Sequence, residues 1–143
     1  MEKATTDLEH ELLHTSDIKE YCEENRDEFV TQSLPDYLSG LLESKNLKRT
    51  EVIKASGLQL NHGHQIFSGI RNPSRDKLIA LATGFGLDQK ELQNLLKKNG
   101  FSPLYARIRR DTLISYGFQK HLSVTEINSL LETNGEKPLF YLD

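Results

Sequence analysis

An all-α fold is what this sequence predicts, on three observations. Apolar residues recur at helical spacing, as at Leu34, Leu38, Leu41 and Leu42. Serine, threonine or aspartate cap signals precede these stripes repeatedly. No stretch alternates apolar and polar residues as a half-buried strand would, and no internal repeat appears.

The elements follow in order. Thr5 or Thr6 is placed to cap a short helix with Leu8, Leu12 and Leu13 as its apolar edge. Ser16 would cap a second, burying Ile18, Tyr21 and Cys22 while Glu20, Glu23 and Glu24 face water. Phe29 and Val30 would pin this acidic arm, residues 1–32, against the body; its acidic density also fits partial disorder. Ser33-Leu34-Pro35-Asp36 is a helix start, with a serine cap, proline in the first turn and a carboxylate three residues on. That helix runs to about Lys45–Asn46. Asn72-Pro73-Ser74 breaks the chain and caps another, with Leu78, Ile79, Leu81 and Ala82 inward and Gly84 and Gly86 ending it. Asp88 with Glu91 forms a capping box for Leu92, Leu95 and Leu96, and Gly100 stops that helix. Residues 101–143 are read as a helical extension. Leu104, Tyr105, Ile108, Leu113, Ile114 and Tyr116 suggest one helix ending at Gly117, and Ser123 with Glu126 opens another ending at Asn134-Gly135. Pro138-Leu139-Phe140-Tyr141-Leu142 is an apolar tail.

Charge is divided unevenly. The net value of -3 combines three basic and ten acidic residues in 1–32, or -7, with fifteen basic and eleven acidic in 33–143, or +4. Lys45 to Lys77 holds seven basic and two acidic residues, a local +5. Phosphate neutralisation depends on such local clusters, so the acidic total does not argue against nucleic acid. No run of about 18 apolar residues and no cationic leader is present, so neither a membrane span nor a signal peptide is expected. The single cysteine, Cys22, excludes an intramolecular disulfide, fits a reducing compartment and is expected as a small core residue; a cytoplasmic location follows.

The informative stretch is Leu47 to Asp76. Thr50 to Ser56 reads as a helix with Val52, Ile53 and Ser56 on one face, and Gly57 stands where a left-handed cap is needed. Leu58 turns inward, and Asn61 to Ser68 form a second helix stopped by Gly69. Two helices joined by so short a turn make a helix-turn-helix, whose second helix can enter the DNA major groove.

Leu47, Glu51, Val52, Gly57, Leu58, Ile66, Gly69, Arg71, Pro73, Ser74 and Leu78 fall where the Xre or lambda-repressor-like helix-turn-helix family carries its pattern. The chain resembles that family over roughly Pro35 to Lys98. It departs at Arg49, where glutamine is usual, at Ile53 for alanine and at Gly63 for a buried aliphatic residue. A helical glycine costs about 1 kcal/mol relative to alanine, so Gly63 is expected to permit a close backbone approach. The resemblance implies a five-helix bundle over residues 33–100; the acidic helical arm and the C-terminal extension lie outside it. It implies a bacterial or phage-type transcriptional regulator, binding double-stranded DNA as a homodimer and reading the groove with helix 61–68.

Carried over position by position, Leu60, Asn61, His62, His64 and Gln65 are the base-reading candidates. Asparagine and glutamine can bond adenine N6 and N7, and leucine can meet a thymine methyl. Lys48, Arg49, Gln59, Arg71, Asn72 and Arg75 would sit on phosphates and fix register. Arg49 has the alternative of pairing with Glu51 or Asp76, and Arg75 of pairing with Asp76. Arg107, Arg109 and Arg110 read as a solvated helix face or as flanking phosphate contacts. The rival to DNA binding is a protein-interaction module, antitoxin-like or adaptor, built on the same fold. The acidic arm is expected either to take a protein partner or to fold over the basic face and compete with DNA.

His10-Glu11-Leu12-Leu13-His14 fits the letters of a His-Glu-x-x-His zinc motif. A catalytic zinc needs a third ligand and a water-excluding cleft, which a short acidic arm does not supply. His62 and His64, two residues apart on a helix, are poorly spaced for metal. No phosphate loop, catalytic triad or cofactor signature is visible, so no enzyme, metal or cofactor is expected.

Overall fold

The computed structural model describes residues 3–25 and 32–141. Nine α-helices and no strand occur among them. The all-α expectation holds. The chain divides into two compact units, residues 1–31 and 32–143.

The first unit pairs α1 (Thr5–His14) with α2 (Ile18–Glu24). Its caps differ from expectation. Ala4 occupies the first cap without a side-chain bond, and Asp17, not Ser16, caps α2 by accepting from the amides of Lys19 and Glu20. Tyr21 Oη donates to Leu8 O at 3.2 Å, and buried Asn25 donates to Glu11 Oε2 at 3.0 Å. The expected apolar interior does not form: Leu13 is 81% exposed, Ile18 60%, and Cys22 is exposed. Two short helices offer too little surface to cover these side chains. Phe29 and Val30 lie outside the described residues.

The second unit holds α3 (Leu34–Lys45), α4 (Arg49–Ser56), α5 (Leu60–Ser68), α6 (Arg75–Phe85), α7 (Gln89–Lys98), α8 (Arg109–Gln119) and α9 (Val124–Thr133). Ser33, Ser74, Asp88 and Ser123 cap α3, α6, α7 and α9, the last two through complete capping boxes, as the sequence predicts. Helix α6 is the spine. Leu78, Ile79, Ala80, Leu81 and Ala82 are all buried in succession, so this helix is apolar on every side and must be surrounded. Burying each leucine or isoleucine contributes about 1.5–3 kcal/mol.

Two glycines expected as helix ends are interior packing points instead. A Cβ on Gly84 would overlap the carbonyl oxygen of Val52, so α4 and α6 cross backbone to backbone there. A Cβ on Gly117 would lie 2.7 Å from Ile127 Cγ1, where α8 meets α9. The helix expected from Leu104 starts only at Arg109, because Gln93 ties the amide and carbonyl of Leu104 into a loop.

The apolar tail folds back on its own unit. Leu139 is 4% exposed, its amide donates to Asn128 Oδ1 at 2.8 Å, and Phe140 packs beside Gly57. Leu139 is therefore buried and Phe140 half-buried within their own unit, while Tyr141 stays exposed and Leu142 lies outside the described residues.

Candidate functional site

The α4–α5 corner is built from local chemistry. Gly57 adopts φ +76°, and its amide donates to Lys54 O. In the usual left-handed cap the next amide reaches back to the carbonyl five residues earlier. Here the Ser56 hydroxyl bridges that gap, donating to Ile53 O at 2.6 Å and accepting from the Leu58 amide at 3.4 Å. Gln59 then caps α5 without a side-chain cap bond, leaving the first amides of α5 free of a side-chain acceptor.

Helix α5 divides cleanly. Gly63, Ile66 and Phe67 are buried, at the one-face spacing expected of an α-helix. Gly63 permits the close approach the sequence predicts: a Cβ there would overlap the Ile53 side chain. The opposite face carries Asn61, His64, Gln65 and Ser68, with Leu60 beside it at 43% exposure. Asn61 and Ser68 are exposed; His64 and Gln65 are half-buried.

The helix exit is as ordered as its entrance. Gly69 takes φ +83° and donates to Ile66 O, while Ile70 N–H donates to Gln65 O at 3.0 Å. Arg71 is held to Gln65 twice, by its amide on the backbone carbonyl at 3.2 Å and by Nε on side-chain Oε1 at 2.8 Å.

Of the expected base-reading residues, His62 stands apart. It lies at the flank, with Nε2 3.3 Å from Lys77 Nζ on α6. A lysine ammonium only donates, so Nε2 accepts and the ring is neutral. Burial, then the charges of Lys77 and Arg71, hold His62 below the ordinary histidine value.

The expected phosphate set separates by exposure. Lys48, Gln59, Arg71 and Asn72 are exposed around the corner and the exit loop, Arg71 with its Nε already on Gln65. Arg49 pairs with neither Glu51 nor Asp76; its guanidinium lies over the Phe67 ring, 5.1 Å from the centroid. Arg75 belongs to the interior frame. It grips Asp111 at 3.0 Å through both terminal nitrogens and donates to the carbonyls of Ser102 and Pro103. Asp76, expected beside Arg75, is bound instead by Arg110 at 2.8 Å. Arg109 reaches Asn134 O and Glu136, so of the later arginine cluster Arg110 and Arg109 hold the extension in place and Arg107 is exposed.

Two features lie outside the residues named from the sequence. Ile70 is 78% exposed in the exit loop, although the residue after a left-handed glycine cap ordinarily packs back on the helix. Lys54, in the last turn of α4, adds an exposed cation near the corner. The basic count of this stretch signalled the second; nothing in the sequence signals the first.

In the His-Glu-x-x-His stretch of α1, the His10 and His14 ring centroids lie 4.3 Å apart with the planes tilted by 37°, and His14 Nδ1 bonds its own helix at His10 O. Hydrogen bonds from Lys3 and then Asn25 hold the Glu11 carboxyl below its usual range. No group of three or more His, Cys, Asp or Glu is gathered for a metal among the described residues. No described helix is long and apolar enough to cross a membrane. No family model, curated protein or solved structure matches the chain.

Proposed function

We propose that this chain is a sequence-specific DNA-binding regulator, a helix-turn-helix protein that lays α5 in the major groove. The observation that carries this reading is the two-sided character of α5. Its buried face fixes it to the core, while Asn61, His64, Gln65 and Ser68 stand outward as hydrogen-bonding groups. Exposed Lys48, Lys54 and Arg71 bracket that face with positive charge. The role is binding, not catalysis.

One helix reads only a few base pairs, so a homodimer on inverted half-sites fits the reading. The acidic first unit, with Leu12, Leu13 and Ile18 exposed, fits a protein partner. Selection of bound duplexes from a random pool, repeated at two salt concentrations, tests the proposal. A sharp inverted repeat whose affinity falls steeply with salt supports it; recovery of unselected sequence sinks it.

A second reading has one observation in its favour. Ile70 at 78% and Leu60 at 43% exposure flank the polar face, as apolar anchors of a protein contact would. Asn61→Ala separates the two. A DNA reader loses discrimination between duplexes, whereas an interaction module retains whatever nonspecific affinity its cations give.

A further inference from the structure

We infer that Gln65 and Arg71 act as one donor unit that selects guanine, not adenine, in the major groove. The inference rests on the DNA-reading assignment of α5 and specifies what part of that helix recognises.

A lone glutamine reads adenine because its amide oxygen accepts from N6 while its amide nitrogen donates to N7. Gln65 is not alone. Arginine has no acceptor, so the 2.8 Å contact with Arg71 Nε requires the Gln65 oxygen, and not its nitrogen, to face the guanidinium. The orientation of the amide is thereby fixed by chemistry. Its NH2 group points away as a donor. One oxygen lone pair remains, but an adenine amino group approaching it would meet the cationic guanidinium donor against donor.

Guanine presents the complementary edge, with O6 and N7 both acceptors. The Gln65 NH2 and the Nη groups of exposed Arg71 then offer adjacent donors to adjacent acceptors. Arg71 is also preorganised. Its amide and that of Ile70 both donate to Gln65 O, and the left-handed Gly69 just before them sets the chain direction. Little ordering remains to be done on binding, which favours discrimination.

The test is selection of bound duplexes with the full chain as wild type, Gln65→Ala and Arg71→Ala. Wild type should enrich guanine at one position of each half-site, and Gln65→Ala should relax that position. Arg71→Ala releases the amide oxygen, so the same position should shift toward adenine, by about tenfold or more in relative affinity. Arg71→Met, which keeps the aliphatic stem, serves the same comparison if the alanine variant unfolds. Adenine at the Gln65-dependent position in wild type overturns the inference and leaves DNA reading intact. So does an Arg71 variant that weakens all duplexes equally. Failure of wild type to enrich any motif overturns the inference together with the reading beneath it.

Discussion

Arg75 of α6 holds Asp111 of α8 through two parallel hydrogen bonds of 3.0 Å, and Asp111 also accepts the Tyr105 amide. One residue along each helix the charges are reversed, with Arg110 on Asp76. The two pairs cross-link the start of α6 to the start of α8, so the C-terminal segment belongs to the same unit as the helices before it.

Asp111 is only 4% exposed and makes three hydrogen bonds, so removing its partner strands a buried carboxylate. Arg75→Met is expected to cost about 2–4 kcal/mol, less than a fully buried pair because the arginine keeps some solvent contact. Urea denaturation measures this. A loss under about 0.5 kcal/mol would show the pair to be a mere surface bridge.

Gly84→Ala and Gly63→Ala both overfill helix crossings, but with different neighbours. At Gly84 the obstacle is a backbone carbonyl, which cannot rotate away; at Gly63 it is the side chain of Ile53. Gly84→Ala should therefore destabilise more, by about 2–3 kcal/mol against about 1–2 for Gly63→Ala. Ile53→Ala should partly rescue Gly63→Ala in a double-mutant cycle; strict additivity would contradict the contact.

His62 gives the protein a signed pH response. Its native pKa lies below the ordinary 6.5, chiefly through burial, so the native state binds this proton less readily than the unfolded chain. The contribution to stability is complete above the ordinary value and is lost as pH falls through it toward the lowered native one. His62→Gln should flatten the decline in urea midpoint between about pH 7 and about pH 5. An unchanged slope would assign the decline to other groups.

Exposed Lys48 and Lys54 offer a charge test independent of sequence readout. If they meet phosphates, neutralising either should weaken all duplexes alike and reduce the salt slope by about 1. A change in base preference instead would place that lysine in the groove.

Much of the second unit was legible because its signals are local. Ser33, Ser74, Asp88 and Ser123 cap the helices they announce, and Gly57 and Gly69 take the left-handed conformation their positions demand. Gly84 and Gly117 were misread for a physical reason: an interior glycine at a helix crossing and a terminal one look alike until the neighbouring helix is known. Where the apolar tail would pack was not legible on the same ground, since nothing near Leu139 in sequence announces Asn128 as its partner. The candidate site could be named from the sequence as a set of residues, but neither their exposure nor their network could be. That Arg75 faces Asp111, or Arg71 faces Gln65, depends on how helices and loops return to one another in space.

The seat of Phe140 against Gly57 has a consequence for the order of assembly. The corner before α5 emerges early in synthesis, yet the ring that closes over it comes from a stretch made far later. Local helices can form as they appear, but this closure joins distant parts of the chain and must await its late strand of sequence. A nascent chain halted before Phe140 would lack the ring beside Gly57, so the full packing of this corner waits on residues made long after α5.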